Sequence, residues 1–344
     1  MSGATGPATR GAGPAGLSER EAREAVAAAG RRLEAEGLVA RTWGNISVKI
    51  DERRMAITPS GVAYADIGPD EVVVVDLLSG EWSGPLKPSG ERKLHAAIYR
   101  SRSDVGAVIH THQTAASVFA ASRADLPQDD GADKGGSGDA QAGAALYGGV
   151  RCAAYALPGT KKLVSATVAA LGSASAAFMA NHGAVCVGMD IDAAFRAARD
   201  LETACAVRLA ALPGAQALPC PVDAAWDADR LSKEADGSLL SQAPFTRAFS
   251  FRETRLGMVL DDLAQLVGVG KETCAFVPGV GARLSYPDPS DAEAAAMVVE
   301  KACRAVLAGE RLGGAARIPL LEAVLMRAVY LKKYSRLKNT SRPR

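Results

Sequence analysis

The chain has 344 residues, 48% hydrophobic and 23% charged, with a formal net charge of +2. Such a composition is that of a soluble globular protein with a full-sized core. So small a net charge excludes a strong electrostatic case for nucleic acid, and no uncharged apolar run reaches the roughly 18 residues of a membrane span. The six cysteines, Cys152, Cys186, Cys205, Cys220, Cys274 and Cys303, form no CxxC pair and no zinc-finger spacing with histidine. They read as reduced, mostly buried thiols of a cytoplasmic protein.

Residues 1–17 are rich in Gly, Ala and Pro, lack the apolar segment of a secretory signal, and are expected to form a flexible tail. A helix is expected over 18–37, opened by the Ser18/Glu21 capping box and closed at Gly37. Apolar runs at 45–50, 54–58, 71–78 and 105–110 read as strands. A helix over 88–101 opens at Pro88–Ser89–Gly90, and another starts near Thr114. The polar, Gly-rich stretch 127–143 has no period and reads as a flexible insertion. Regular structure resumes at 149–156, with helices at 160–172 and 190–212 around a strand pair near His182.

The expected organisation is a catalytic domain over 18–212, a linker over 213–247 and a smaller, helix-rich unit over 248–344. Residues 177–210 align without gaps to 275–308, matching Phe178 with Phe276, Gly183 with Gly281, Glu202 with Glu300 and Cys205 with Cys303. The second segment therefore reads as a degenerate partial repeat. His182 falls opposite Val280, so this copy keeps the packing pattern without the polar group. The last helix, 318–338, reads as amphipathic: Leu320, Leu321, Val324, Leu325, Val329 and Leu331 are expected to form a packed face, docked on the catalytic domain or at a subunit interface.

The chain has four histidines, and two stand in His110–Thr111–His112 at the end of an apolar strand. Side chains two apart on a strand share a face, so both imidazoles can converge on a zinc ion about 2.0–2.1 Å from each nitrogen. His182, in the turn Asn181–His182–Gly183, is a third candidate. Any one of these alone is more simply a satisfied polar residue at a strand end. Together they form the three-histidine pattern of catalytic zinc, with a position left open. Three polar turns, Thr42–Ser47, Thr58–Gly61 and Lys87–Glu91, offer hydroxyls, an amide and backbone N–H groups to an anion.

The succession TWGNIS, ITPSG, KPSGE, VIHTH and NHGA resembles the class II aldolase/adducin family over about residues 20–210. That resemblance implies a three-layer α/β/α domain with a central, mostly antiparallel sheet, and a homotetramer with sites between subunits. It implies one zinc ion per chain on His110, His112 and His182, with Glu91 as the acid/base carboxylate. It places Asn45, Ser60, Gly61, Ser89 and Gly90 at the phosphate-binding turns, Gly90 standing where many aldolases carry a second serine. His95 reads as structural. Tyr147, Tyr330 and Tyr334 are the candidates for a tyrosine that assists protonation in some members. Glu rather than Asp at 91 sets the chain apart from the family's epimerases. The activity implied is zinc-dependent cleavage of a ketose 1-phosphate of the L-fuculose 1-phosphate type to dihydroxyacetone phosphate and an aldehyde. The alternatives are a methylthioribulose-1-phosphate dehydratase and a non-catalytic, adducin-like scaffold.

Overall fold

The protein is described by a computed structural model covering residues 17–39, 43–128, 149–252, 254–270 and 272–340, without side chains beyond 332. Nearly all of the expected N-terminal tail, most of the expected insertion, and Tyr147 lie outside these residues.

Helix α1 (Glu19–Ala35) opens at the expected capping box: Glu21 donates its N–H to Ser18 Oγ, and its carboxylate accepts the Ser18 N–H. Its buried stripe, Ala22, Val26, Ala29 and Leu33, recurs at helical spacing. That stripe lies on strands β1 (Asn45–Lys49) and β2 (Arg54–Ile57). There follow β3 (Val73–Asp76), α2 (Arg92–Ser101), β4 (Ala107–Thr111), α3 (Thr114–Ser122), β5 (Cys152–Ala153), α4 (Lys161–Leu171), β6 (Ala176–Met179), β7 (Gly183–Gly188) and α5 (Ile191–Ala211). Helix α2 begins later than expected, with Glu91 at its N-cap and Pro88–Gly90 in the preceding turn.

The seven strands run in the order β3-β2-β1-β4-β7-β6-β5, antiparallel except where β5 meets β6. Alternating residues fill two cores. Ala107 and Ile109 of β4 pack with α1, α3 and α5, whereas Val108 faces α2 and α4 on the other side. This is the expected three-layer α/β/α domain with a mostly antiparallel sheet.

Residues 213–247 depart from the expected linker. They hold β8 (Leu231–Lys233), β9 (Leu239–Ser241) and the start of α6 (Pro244–Ser250). Strands of three residues are too short to show a period of two, and pairing fixes them instead. Then come α7 (Asp261–Leu266), β10 (Cys274–Val277), β11 (Gly281–Leu284), α8 (Pro289–Gly309) and α9 (Leu320–Thr340). The C-terminal unit thus carries helices around a four-stranded antiparallel sheet, ordered β10-β11-β9-β8.

This second sheet parallels half of the first. Strands β10 and β11 and helix α8 start 98 positions after β6, β7 and α5. Phe178 pairs with Ala184 across β6–β7, and Phe276 with Ala282 across β10–β11. Thr111 pairs with Ala184, and Ser241 with Ala282. Glu202 accepts the N–H groups of Ala115 and Ala116 at the start of α3, and Glu300 those of Phe245 and Thr246 at the start of α6. Helix α8 packs on α3, so Phe119 and Phe195 share one continuous core with Phe245 and Val298.

The apolar face expected on α9 is not docked on the rest of the chain. Leu321 is 84% exposed and Leu320 61%, and Val324, Leu325, Val329 and Leu331 are exposed as well. The helix docks on α7 through Ala323 and Met326 instead. Arg327 reinforces the contact by donating to the carbonyls of Gln265 and Leu266. No helix among the described residues is long and apolar enough to cross a membrane.

Candidate metal centre

Strand β4 runs through the middle of the sheet, with His110 opposite Asn45 of β1 and Val185 of β7. His112 follows one residue beyond the strand on the same side. His182 arrives from the β6–β7 turn, which is pressed onto the end of β4. A Cβ at Gly183 would lie 2.3 Å from the Thr111 carbonyl oxygen, so only glycine permits that approach. Asn181 holds the left-handed backbone of this turn at φ 60°.

These elements bring the three predicted imidazoles together, their nearest nitrogens all within 4.8 Å of one another. His110 Nε2 and His112 Nε2 are 2.9 Å apart. Glu91 faces the same point from the start of α2, with Oε1 3.0 Å from His182 Nε2 and Oε2 3.4 Å from His110 Nε2. Asn45 Nδ2 donates to Glu91 Oε2 at 3.0 Å.

The outer nitrogens set the tautomers. His110 Nδ1 donates to the Ala184 carbonyl at 2.9 Å, and His182 Nδ1 to Asp261 Oδ2 at 2.8 Å. His112 Nδ1 lies 3.4 Å from Asp262 Oδ2 and makes no hydrogen bond, so its tautomer is not fixed in the same way. With Nδ1 protonated, His110 Nε2 can present a lone pair inward, whereas His182 Nε2 faces Glu91 Oε1 at 3.0 Å and carries a proton toward it. His110 Nε2 and His112 Nε2, 2.9 Å apart, either share a proton in a hydrogen bond or face a common cation, since two bare lone pairs at that distance would repel. Three imidazoles and a carboxylate around an open position form a donor set that fits zinc. The residues present therefore fit the group the fold implies.

Burial pushes His110 down to about 3, although Glu91 pulls the other way, and pushes His112 down in the same direction. Burial acts on His182 too, but the Glu91 and Asp261 carboxylates outweigh it and raise the pKa to about 10. Burial would raise Glu91, yet His110, His182 and the Asn45 amide hold it well below the usual carboxylate range. Without metal the site thus keeps Glu91 ionised, His110 and His112 neutral and His182 protonated, so ligation by His182 Nε2 requires the release of its proton.

The expected phosphate turns lie beside Glu91. Ser60 donates its N–H to Lys87 O, Ser89 its N–H to Thr58 O, and Glu91 its N–H to Ser89 Oγ. These bonds join Ser60 and Gly61 to Ser89 and Gly90 at the start of α2. A Cβ at Gly90 would meet nothing within 4 Å. A cleft lined by Gly90, Glu91, Lys93 and Thr160 opens between α2 and α4. His95 stands apart from the three imidazoles, its Nδ1 2.7 Å from Ser47 Oγ, and burial lowers it to about 4. Tyr330, on α9, packs against the core and outside the imidazole group, and the Tyr334 side chain lies outside those described.

Four contributors were not singled out from the sequence. Asp261 and Asp262 reach His182 and His112 from α7, and Lys301 of α8 pairs with Asp262. Asn181 ties the His182 turn to the C-terminal unit. The available signal was the adjacent acid pair inside the apolar stretch 256–267.

Residues 24–209 match the class II aldolase and adducin N-terminal domain. The 5-methylthioribulose-1-phosphate/5-deoxyribulose-1-phosphate aldolase of Rhodospirillum rubrum is 35% identical over 182 residues, 52% of this chain and 76% of that one. The 5-deoxy-D-ribulose 1-phosphate aldolase of Bacillus thuringiensis is 34% identical over 183 residues, 52% of this chain and 80% of that one. A methylthioribulose-1-phosphate dehydratase of Granulibacter bethesdensis is 41% identical over a shorter stretch of 106 residues, 30% of this chain and 50% of that one. Among solved structures, an L-fuculose 1-phosphate aldolase superposes with a TM-score of 0.50 at 28% identity, covering 61% of this chain and 92% of that one.

Proposed function

The chain belongs to the class II aldolase and adducin family and is an enzyme of it, and we propose that it catalyses zinc-dependent retro-aldol cleavage of a ketose 1-phosphate. The observation that carries this reading is the convergence of three imidazole Nε2 atoms and the Glu91 carboxylate on one point. An adducin-like scaffold would have no need of it. His110, His112 and His182 hold the ion. When bound, zinc supplies a Lewis acid for the charge that develops as the carbon–carbon bond breaks.

The remaining chemistry belongs to the protein. Ser60, Gly61, Ser89 and Gly90 cradle the substrate phosphate at the start of α2, and so fix where the reacting carbons lie. Asn45 holds Glu91 in place through its amide. Glu91, ionised and close to the imidazoles, accepts the proton of the substrate hydroxyl whose carbon becomes the aldehyde. It then returns a proton to the dihydroxyacetone phosphate half, so that the carboxylate ends as it began. The products are dihydroxyacetone phosphate and an aldehyde.

The relatives from R. rubrum and B. thuringiensis support a 5-deoxypentulose 1-phosphate as substrate, alongside the L-fuculose 1-phosphate type. The dehydratase relative supports a second reading, loss of water from methylthioribulose 1-phosphate at the same site. A homotetramer is proposed as the assembly, with sugar phosphate as the only partner. Residues 231–309 are proposed to be a degenerate copy of the half-sheet β1-β4-β7-β6 with its helices, from the shared register and the paired Glu202 and Glu300 caps. In that copy Leu240, Gln242 and Val280 stand at the positions of His110, His112 and His182. The test is to offer the protein a panel of ketose 1-phosphates that includes all three sugars. Dihydroxyacetone phosphate release supports the aldolase; water loss from methylthioribulose 1-phosphate without it supports the dehydratase.

A further inference from the structure

Two of the candidate metal-binding imidazoles hydrogen-bond an acceptor behind them and the third, His112, has the Asp262 carboxylate at 3.4 Å outside hydrogen-bond geometry; two of these three acceptors come from the C-terminal unit. His110 Nδ1 uses the Ala184 carbonyl of its own sheet, whereas His182 faces Asp261 and His112 faces Asp262. Asp261 and Asp262 are 0% and 1% exposed. A carboxylate buried so fully is costly unless it is paired. Asp261 Oδ1 has no hydrogen-bond partner among the described residues, so its side-chain hydrogen bond to His182 stands alone. Asp262 is shared between His112 and the buried Lys301 ammonium, which also lies 3.5 Å from the His112 carbonyl oxygen.

The placement is built into the backbone. Asp261 donates its N–H to the Asn181 carbonyl at 2.7 Å. The Asn181 amide donates in turn to Val259 O at 2.8 Å and Ala316 O at 2.7 Å. The residue before His182 is thus clamped to the start of α7 and to the segment between α8 and α9. A carboxylate that accepts Nδ1–H fixes the ring orientation, leaves the Nε2 lone pair inward and raises its basicity; loss of such a partner typically weakens metal binding 10–100-fold.

We propose that Asp261 and Asp262 are positioning residues that hold His182 and His112 in the Nδ1–H tautomer, making the C-terminal unit part of the metal centre. The inference rests on the reading that the three histidines bind zinc. It gives the C-terminal unit a role that its Leu240, Gln242 and Val280 could not serve as ligands.

The test is zinc affinity of the full chain, measured by competition with a chromophoric chelator, beside the thermal midpoint of the metal-free protein. Asp261→Asn is isosteric and is expected to lower the affinity 10–100-fold. Asp262→Asn paired with Lys301→Gln, which keeps the local charge balanced, is expected to do the same. A merely structural role would lower the metal-free midpoint and leave the affinity unchanged, and that result overturns the proposal. If wild-type protein binds no zinc, the metal reading and the inference fall together. If it binds about one zinc per chain and both variants bind equally well, only the inference fails. Nitrogen-15 spectra of the zinc-loaded wild type need no variant: a protonated Nδ1 on His182 and His112 is expected, and metal on either Nδ1 contradicts the proposal.

Discussion

Glu91 carries two demands at once: it is held ionised by His110, His182 and Asn45, yet it is proposed to move a proton during the reaction. Glu91→Gln keeps the side chain's size and its bond to Asn45 while removing the base. The expected result is a kcat lower by about 10²–10⁴-fold, with zinc content near that of the wild type; unchanged kcat contradicts the role. At this scale the sequence was informative where chemistry was local. His110 and His112 stand two apart on a strand, and their convergence follows from strand geometry alone. Asp261 and Asp262 were illegible because no local period links α7 to a turn 79 residues earlier. Only the docking of one unit on the other creates that contact.

Among the elements, helix starts are tied down by carboxylates from far along the chain. Glu202 accepts two N–H groups of α3, at 2.6 and 3.0 Å, and Glu300 accepts two of α6 together with the Thr246 hydroxyl. Removing either acceptor strands buried donors. Glu202→Ala and Glu300→Ala are each expected to cost about 2–3 kcal/mol in chemical denaturation, and a change under about 0.5 kcal/mol would show that water replaces the cap. The turn after β3 makes a pH prediction. Hydrogen bonds from the Ser79 N–H, from Arg53 and from the Leu78 N–H lower the Asp76 carboxyl to about 2. A folded pKa below the unfolded value gives stability that is present above the ordinary carboxylate range and is lost as pH falls through about 2. Carbon-13 titration of Asp76 is expected to show that low midpoint, and an ordinary midpoint near 3.8 would contradict it.

Helix existence was legible from caps and periodicity, as with the Ser18/Glu21 box. The 231–241 strands were not, because their regularity lies in pairing with β11 rather than in their own residues. On α9 the leucines and valines lie on the side away from α7, and small Ala323 with Met326 makes the close approach.

For the whole molecule, the two sheets share one core through α3 and α8, and Asn181, itself held by Arg123, reaches the C-terminal unit by two side-chain hydrogen bonds, to Val259 and Ala316. Such coupling predicts a single cooperative unfolding transition in calorimetry, and two separated transitions would contradict it. Asn181→Gly keeps the left-handed backbone accessible while deleting those bonds. It is expected to cost about 1–3 kcal/mol and to weaken zinc binding with it; a stable variant with full affinity would uncouple the units. The catalytic half of the fold was open to recognition because its motifs follow one another in order. The manner in which the second unit closes on the first depends on packing that no motif records.

In the proposed reaction, three imidazoles hold a metal that, with Glu91, serves the cleavage of a ketose 1-phosphate. The most direct test measures dihydroxyacetone phosphate release from 5-deoxyribulose 1-phosphate and L-fuculose 1-phosphate before chelation, after it, and after zinc is restored. Release from at least one sugar, abolished by the chelator and recovered with zinc but not in His110→Ala, is the expected result. Release at full rate from metal-free protein, or from His110→Ala, would overturn the proposed role of the metal.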